Sequence, residues 1–453
     1  FLVLERHMVG ASFASWPAET RFITPSCTTN SIGMLDLNSV VIGTSPAYTI
    51  GVEHPTGQEY SNFLKATAKH FELPVREHVD VTSITHEGDK FTIETTDEII
   101  TTRHVIWAAG DFQYPRLNAF VGSELCRPTA MIPSYAELDG DDFIVIGGYE
   151  SGMDAASNLS QCGKRCTVVS STACWDVSTE DPSTELAPYT SMRIRQACAS
   201  QNPPRLLAPL RVTSVEKDDD EYVVKATWGT PVVHEGGERR EPVQSADMVA
   251  ELAKMNQTEG TEMVLRTPQP PLLCAGFAGS VKLGVAKDLF AWGDPAKEQG
   301  FEDLPEFDTE SARKEAKGMK VAQLREELKA MGQPTEGTKP ELIERLVSAH
   351  QAEADSEDEA MEEAKGCAEG APLLNKLDES TTTPGLFLVG PAVRHGDLSF
   401  CFVYKFRQRF GIVADAIAKG LGRETAAAVD AARDMNMYLD DFECCKAACG
   451  EAC

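Results

Sequence analysis

The chain has 453 residues, 42% of them hydrophobic, which is enough for two or three domains with large cores. Its 42 basic and 70 acidic residues give a formal net charge of −28, which excludes a surface generally attractive to nucleic acid or anionic lipid. No run reaches the roughly 18 apolar residues of a membrane span, and thirteen cysteines scattered through the chain point to an intracellular reducing compartment rather than a disulfide framework.

In chain order, Phe1 to Leu4 form a short apolar run ending in Glu5. After the second strand of a dinucleotide fold, an acidic side chain at this place accepts hydrogen bonds from an adenosine ribose; alone, it reads equally as a surface acid at a strand end. No glycine turn precedes it. The expectation is that a first strand, phosphate loop and helix, on the order of 30 residues of a βαβ unit, lie upstream.

Residues 143–169, FIVIGGYESGMDAASNLSQCGKRCTVV, read as strand, glycine turn, helix and second strand. That layout places a dinucleotide pyrophosphate on a helix N-terminus. Phe143 to Ile146 supply the strand, Gly147 the tight turn, and Gly152 close packing of helix on strand. Gly148, Tyr149, Glu150 and Ser151 complete the turn, with Tyr149 where the pattern has its middle glycine. A bare βαβ unit without nucleotide is the alternative. Ser170 and Ser171 follow the second strand, where an NAD-preferring fold has a carboxylate, so NADP(H) is expected. Cys162 and Cys166 flank this unit's helix-to-strand turn and read as packing residues; the chain has no CxxC pair for dithiol exchange. The acidic runs Glu216 to Glu221 and Glu353 to Glu363 read as solvated loops.

Residues 319–347 show two helical stripes, Val321, Leu324, Leu328 and Leu342, Ile343, Leu346, joined by GQPTEGTKP. Gly332 stops the first helix and Thr338 caps the second. An acidic linker poor in apolar residues follows. In the tail, Cys444, Cys445, Cys449 and Cys453 fall within ten residues. A free-thiol tail, a zinc site and a cysteine relay all remain open there.

Several stretches together resemble flavoproteins with two dinucleotide-binding domains, related to flavin-containing monooxygenases and to pyridine nucleotide-disulfide (thioredoxin reductase-like) oxidoreductases. They are LERHMVGASFASWP ending at Pro17, RFITPSCTTNSIGMLDLNSV (21–40), EHPTGQEYSNFL (53–64), VIWAAGDFQYP (105–115), the GGYESG turn, LLCAGF (272–277) and the run from Asp378 to Ala418. The resemblance implies an α/β fold with two Rossmann-like domains, one for FAD and one for NADP(H). It implies hydride transfer from NAD(P)H to flavin and on to an unidentified small-molecule or protein acceptor. It sets Glu5, Arg6, Trp16, Ala109, Gly110, Gly390, Pro391, Lys405 and Phe406 against FAD. Cys126 stands where the monooxygenase FxGxxxH pattern, begun by Phe120 and Gly122, has histidine, which speaks against oxygen insertion. No residue is named as acid, base or nucleophile.

Residues 319–347 resemble a SAP motif. By that resemblance Lys320, Gly337, Thr338, Lys339 and Arg345 face A·T-rich duplex, although six basic and five acidic residues between Lys317 and Arg345 leave little net charge. A spacer or protein-contact hairpin is the alternative. The implied organisation is 1–115 flavin domain, first part; 116–278 NAD(P)H domain; 279–316 irregular insertion; 317–349 SAP motif; 350–375 linker; 376–440 flavin domain, C-terminal part; and 441–453 tail. Two other readings stay open, a nucleic-acid-associated protein and a noncatalytic scaffold.

Overall fold

The computed structural model describes residues 1–28, 35–178, 185–230, 238–239, 242–255, 257–292, 316–330, 334–348, 371–395 and 398–440. The N-terminal unit contains β1 (Val3–Leu4), α1 (Ala11–Ala14), α2 (Pro46–Ile50), α3 (Gly57–His70) and β2 (Val75–Arg76). An antiparallel sheet of β3 (Val81–Glu87), β4 (Lys90–Thr95) and β5 (Ile99–Thr102) follows, then β6 (Val105–Trp107). α3 begins at a reciprocal cap in which Thr56 and Glu59 satisfy each other's backbone N–H. Its Tyr60 and Phe63 close an aromatic core with Phe13, Trp16 and Phe22.

The middle unit runs through β7 (Arg127–Pro128), β8 (Asp142–Ile146), α4 (Glu150–Gln161), β9 (Arg165–Val169), β10 (Val177–Ser178), α5 (Pro188–Cys198) and β11 (Arg205–Leu207). It continues through β12 (Leu210–Asp218), β13 (Glu221–Trp228), β14 (Glu238–Arg239), α6 (Ala246–Leu252), β15 (Glu262–Thr267) and β16 (Leu272–Leu273). Its parallel sheet has the order β11-β9-β8-β16-β7, with Asp142 to Ile146 in register with Arg165 to Val169.

Strand alternation divides this unit into two cores. Phe143, Val145, Val168, Leu206 and Leu272 meet Met153, Leu159 and Ile194 of α4 and α5. Ile144, Ile146, Val169, Leu207 and Leu273 meet Val215, Val224 and Trp228 of the antiparallel sheet β12-β13-β15. The run Glu216 to Glu221, read from sequence as a solvated loop, is instead the tip of the β12–β13 hairpin. Asp218 pairs with Glu221 and Lys217 with Tyr222, while Asp219 takes φ +52°. Its acids are exposed, as strand alternation and a two-residue turn permit.

The chain returns through α7 (Ser280–Leu283). Residues 279–292, expected to open an irregular insertion, place Val281, Ala286 and Phe290 in a core with Phe91, Val105, Leu386 and Phe400. A separate hairpin follows, α8 (Val321–Ala330) and α9 (339–348), around Leu324, Leu328, Leu342 and Leu346. Then come β17 (Leu386–Leu388), the antiparallel pair β18 (Arg394–His395) and β19 (Leu398–Ser399), α10 (Val403–Gly420) and α11 (Ala426–Asp434). β1 pairs in parallel with β2, and β6 with β17, as two separate two-stranded sheets. Among the described residues no helix is long and apolar enough to cross a membrane.

Candidate functional site

The glycine turn sits where β8 ends against β16. Gly147 takes φ +106°, and a Cβ there would lie 2.4 Å from the Cys274 carbonyl oxygen. A Cβ on Gly152 would lie 1.9 Å from the Gly147 carbonyl oxygen, so α4 reaches this close to the turn only through glycine. Gly148 packs against Ser170 and the ring of Trp175, which is 3% exposed. Tyr149 is the N-cap, 42% exposed, and its carbonyl accepts from the Met153 N–H. The first-turn N–H groups beyond the cap have no partner within their own helix and carry its positive end.

A carboxylate at this end would compete with a phosphate, and Glu150 supplies one. It is turned away: its Oε1 accepts from the Ala187 N–H at 2.6 Å and its Oε2 from the Thr190 hydroxyl at 2.5 Å. Glu150 therefore ties the start of α4 to the start of α5. Burial pushes its carboxyl above the usual value, against the two hydrogen bonds. Ser151 is exposed. Ser170 is buried and its hydroxyl donates to the Thr172 carbonyl at 2.7 Å, so Ser171 is the exposed hydroxyl of that pair. These residues fit a dinucleotide pyrophosphate: a tight glycine turn, a helix N-terminus, and the nearby acid withdrawn.

The residues expected on the flavin side are spread over three segments. Glu5 accepts from the His7 N–H at 2.8 Å, and Arg6 pairs with Asp80 at 2.7 Å. Trp16 belongs to the aromatic core beside Phe13 and Phe22. Ala109 is exposed, and Gly110 (φ +69°) and Gly390 (φ +102°) each face open space where a Cβ would stand, as close approach by a ligand requires. Pro391 is half-buried beside Gly390. Lys405 lies over the Phe402 ring at the start of α10, and Phe406 packs on the core that holds Leu386 and Phe400. The open sides of Gly110 and Gly390 would admit a flavin, while Glu5, Arg6 and Trp16 are engaged by protein partners; among the described residues, this side has no second glycine turn of the β8–α4 kind.

Sequence reasoning missed the junction between the units. Glu19 accepts from the Ser134 hydroxyl (2.6 Å) and from the Tyr135 and Ala136 N–H groups (3.0 and 3.1 Å). Burial raises its carboxyl, but these three donors outweigh burial and hold it below the usual value. Thr20 donates to Asp154 of α4 at 2.6 Å, and Asp154 pairs with buried Arg193 of α5. His54 stacks on Tyr189 with ring centroids 3.6 Å apart and planes 7° from parallel. No motif marks Glu19, Thr20 and His54, because their partners lie more than a hundred positions away in sequence.

Burial disfavours the thiolate form of the middle unit's cysteines. Burial raises the thiols of Cys126, Cys198 and Cys274 to about 12, and that of Cys166 beyond that range. Cys162 is also raised by burial. The tail cysteines Cys444, Cys445, Cys449 and Cys453 lie outside the described residues. A cleft of about 660 Å³ opens between α2 and α3, lined by Tyr48, Phe63, Thr67 and His70, and none of the sequence-predicted residues lines it.

In the α8–α9 hairpin, Glu341 accepts from the Thr338 N–H (2.7 Å) and hydroxyl (2.9 Å), closing the start of α9 beside Gly337 (φ +134°). Lys339 donates to the Lys317 carbonyl at 3.1 Å. Arg345 donates to the Pro334 and Glu336 carbonyls at 2.7 and 2.8 Å. Of the cations expected on DNA, Arg345 thus holds the connecting loop and Lys339 ties α9 to the segment before α8, while Lys320 is exposed at the start of α8.

The sequence model of the pyridine nucleotide-disulphide oxidoreductase family matches residues 1–236, and that of the SAP domain matches 315–349. A CzcO-like oxidoreductase of Geobacillus kaustophilus is 28% identical over 112 residues, 24% of this chain and 32% of that protein. The bacilliredoxin reductase Bdr of Bacillus subtilis is 32% identical over 83 residues, 18% of this chain and 26% of that protein. The matched stretches thus span a third or less of these relatives' length. In fold, the bacillithiol disulfide reductase of Staphylococcus aureus superposes with a TM-score of 0.55 at 14% identity, covering 92% of this chain and 90% of that chain. The Bacillus cereus enzyme gives 0.50 at 13%, covering 92% and 91%.

Proposed function

The chain belongs to the pyridine nucleotide-disulphide oxidoreductase family, and from that membership we propose that it is an FAD-dependent oxidoreductase drawing on NAD(P)H and passing electrons to a further acceptor. When bound, the nicotinamide supplies a hydride and the flavin receives it. The observation that carries the reading is the β8–α4 turn, where Gly152 brings the helix start within contact of Gly147 and Glu150 turns its charge away from the helix end. Gly110 and Gly390 leave room for the flavin, and Ser171 offers a hydroxyl to a 2′-phosphate. Anaerobic addition of NADPH and of NADH to the FAD-loaded protein tests it. Faster flavin bleaching by NADPH supports the reading with its preference; equal rates remove the preference, and no bleaching by either removes the reading.

A second reading adds to the first: weak duplex binding through the SAP hairpin, whose own apolar core is complete. A fluorescence titration with A·T-rich duplex at two salt concentrations tests it. Absence of binding at low salt makes the hairpin a structural or protein-contact module.

A further inference from the structure

Residues 36–39 hold both walls of the cleft between α2 and α3. Asp36 Oδ2 accepts from the Ser45 hydroxyl (2.8 Å) and the Ala47 N–H (3.0 Å), which fixes the start of α2. The Tyr60 hydroxyl donates to the Asn38 carbonyl (2.6 Å), which fixes α3 against the same loop. Arg407 of α10 donates to the Ser39 carbonyl (2.7 Å) and anchors the loop in turn. The cleft is therefore pre-formed, and its volume of about 660 Å³ lies within the roughly 300–1,000 Å³ of small-molecule pockets.

Aromatic rings surround the opening. Phe63 is buried in the α3 wall, Phe71 is exposed at the end of α3 with His70 edge-on to it (centroids 4.9 Å, planes 87°), and Tyr48 of α2 is 84% exposed. Exposed rings gathered beside a cleft mark a binding surface, whereas scattered ones do not. The hydroxyls of the lining are engaged within the protein: Ser45 with Asp36, Thr44 with the Val41 carbonyl (2.7 Å) and Thr67 with the Phe63 carbonyl (2.9 Å). Covering them strands no donor, so an apolar occupant leaves none of these groups unsatisfied. Among the described residues no Asp, Glu, Lys or Arg lines the cleft, so a charged occupant would lose its water without a fixed countercharge.

We propose that this cleft binds an uncharged, planar aromatic molecule, its rings packed against Phe63, Phe71 and Tyr48. An opening of this size suits a ligand rather than a protein partner, whose footprint is about 800 Å². The site goes beyond the flavoprotein reading and does not depend on it, because none of its residues is among those set against the flavin or the nicotinamide.

Equilibrium dialysis of the full-length protein against 2-naphthalenemethanol and its charged counterpart 2-naphthoate tests this. The neutral probe should bind saturably at a single site per chain, and the carboxylate at least about tenfold more weakly. Ala66→Phe, which puts a ring into the cleft from an exposed position on α3, should abolish saturable binding. Tyr48→Ala should weaken it about three- to tenfold. Both positions are exposed, so the unfolding midpoints of the variants should stay close to wild type. Ile99→Ala, at an exposed apolar residue of β5 away from the cleft lining, should bind the probe as wild type does. Equal binding of the two probes, undiminished binding by Ala66→Phe, or a matching loss in Ile99→Ala overturns the proposal. So does a dimer that Tyr48→Ala dissociates while the wild type binds no probe, since the cleft would then be a contact between copies. Neither probe requires flavin or NAD(P)H, so the outcome stands even if NADPH fails to bleach the flavin.

Discussion

At the scale of single residues, two positions connect packing to function. A branched side chain at Gly152 meets the Gly147 carbonyl, since even a Cβ would stand 1.9 Å from it. Gly152→Val should therefore abolish nicotinamide-dependent flavin reduction while leaving bound flavin in place; titration of both ligands checks this, and loss of flavin too would mean wider damage. Glu19 makes a prediction with a defined sign. Its folded carboxyl lies below the ordinary 4.5, so its contribution is complete above that value and is lost as pH falls through the lower folded one. Amide exchange of Tyr135 and Ala136 should accelerate over that window, and Glu19→Gln should remove the pH dependence. With charged hydrogen bonds contributing about 1.5–3 kcal/mol each, the variant should also lower thermal stability.

At the scale of elements, α5 connects the nucleotide turn to the N-terminal unit. Glu150, the first residue of α4, accepts hydrogen bonds at its start; Tyr189 stacks on His54; and Arg193 bonds Asn158 at 2.6 Å and pairs with Asp154, which holds Thr20. Arg193→Met would leave Asp154 buried without its countercharge. Such breaks cost about 3–5 kcal/mol, so the unfolding midpoint should drop by several degrees while Arg193→Lys recovers part of it. A drop no larger than that of an exposed arginine would remove the pair from this account.

The β8–α4–β9 unit and the α8–α9 hairpin were legible in the sequence because apolar period, turn glycines and cap residues all act within 30 positions. The β12–β13 hairpin was not, because its DDD tip hid the alternation of Leu210, Val212, Tyr222 and Val224 on either side. Nor was the placement of Ser170: its hydroxyl is taken by the carbonyl of Thr172, a local turn that polarity alone does not reveal. Glu19 and Arg193 were illegible because only tertiary contact gives them partners.

At the scale of the whole molecule, a net charge of −28 sets the terms for any nucleic-acid contact. With Lys320, Lys339 and Arg345 as the phosphate contacts, the isolated hairpin should show a log-log salt slope of about −3, and the intact protein should bind less tightly because its surplus acids repel the duplex. A slope near zero, or tighter binding by the whole chain, would contradict this. Lys339 and Arg345 would first have to leave their carbonyl partners, which further weakens binding.

On the proposed function, the glycine turn delivers nicotinamide electrons to a flavin held by the same chain. Anaerobic NADPH titration of the FAD-loaded protein, followed by its visible flavin absorption, tests this most directly. Complete bleaching is expected in wild type, and none in Gly152→Val with its flavin retained. A wild-type flavin that NADPH and NADH both leave oxidised, or one bleached equally well in Gly152→Val, would contradict it.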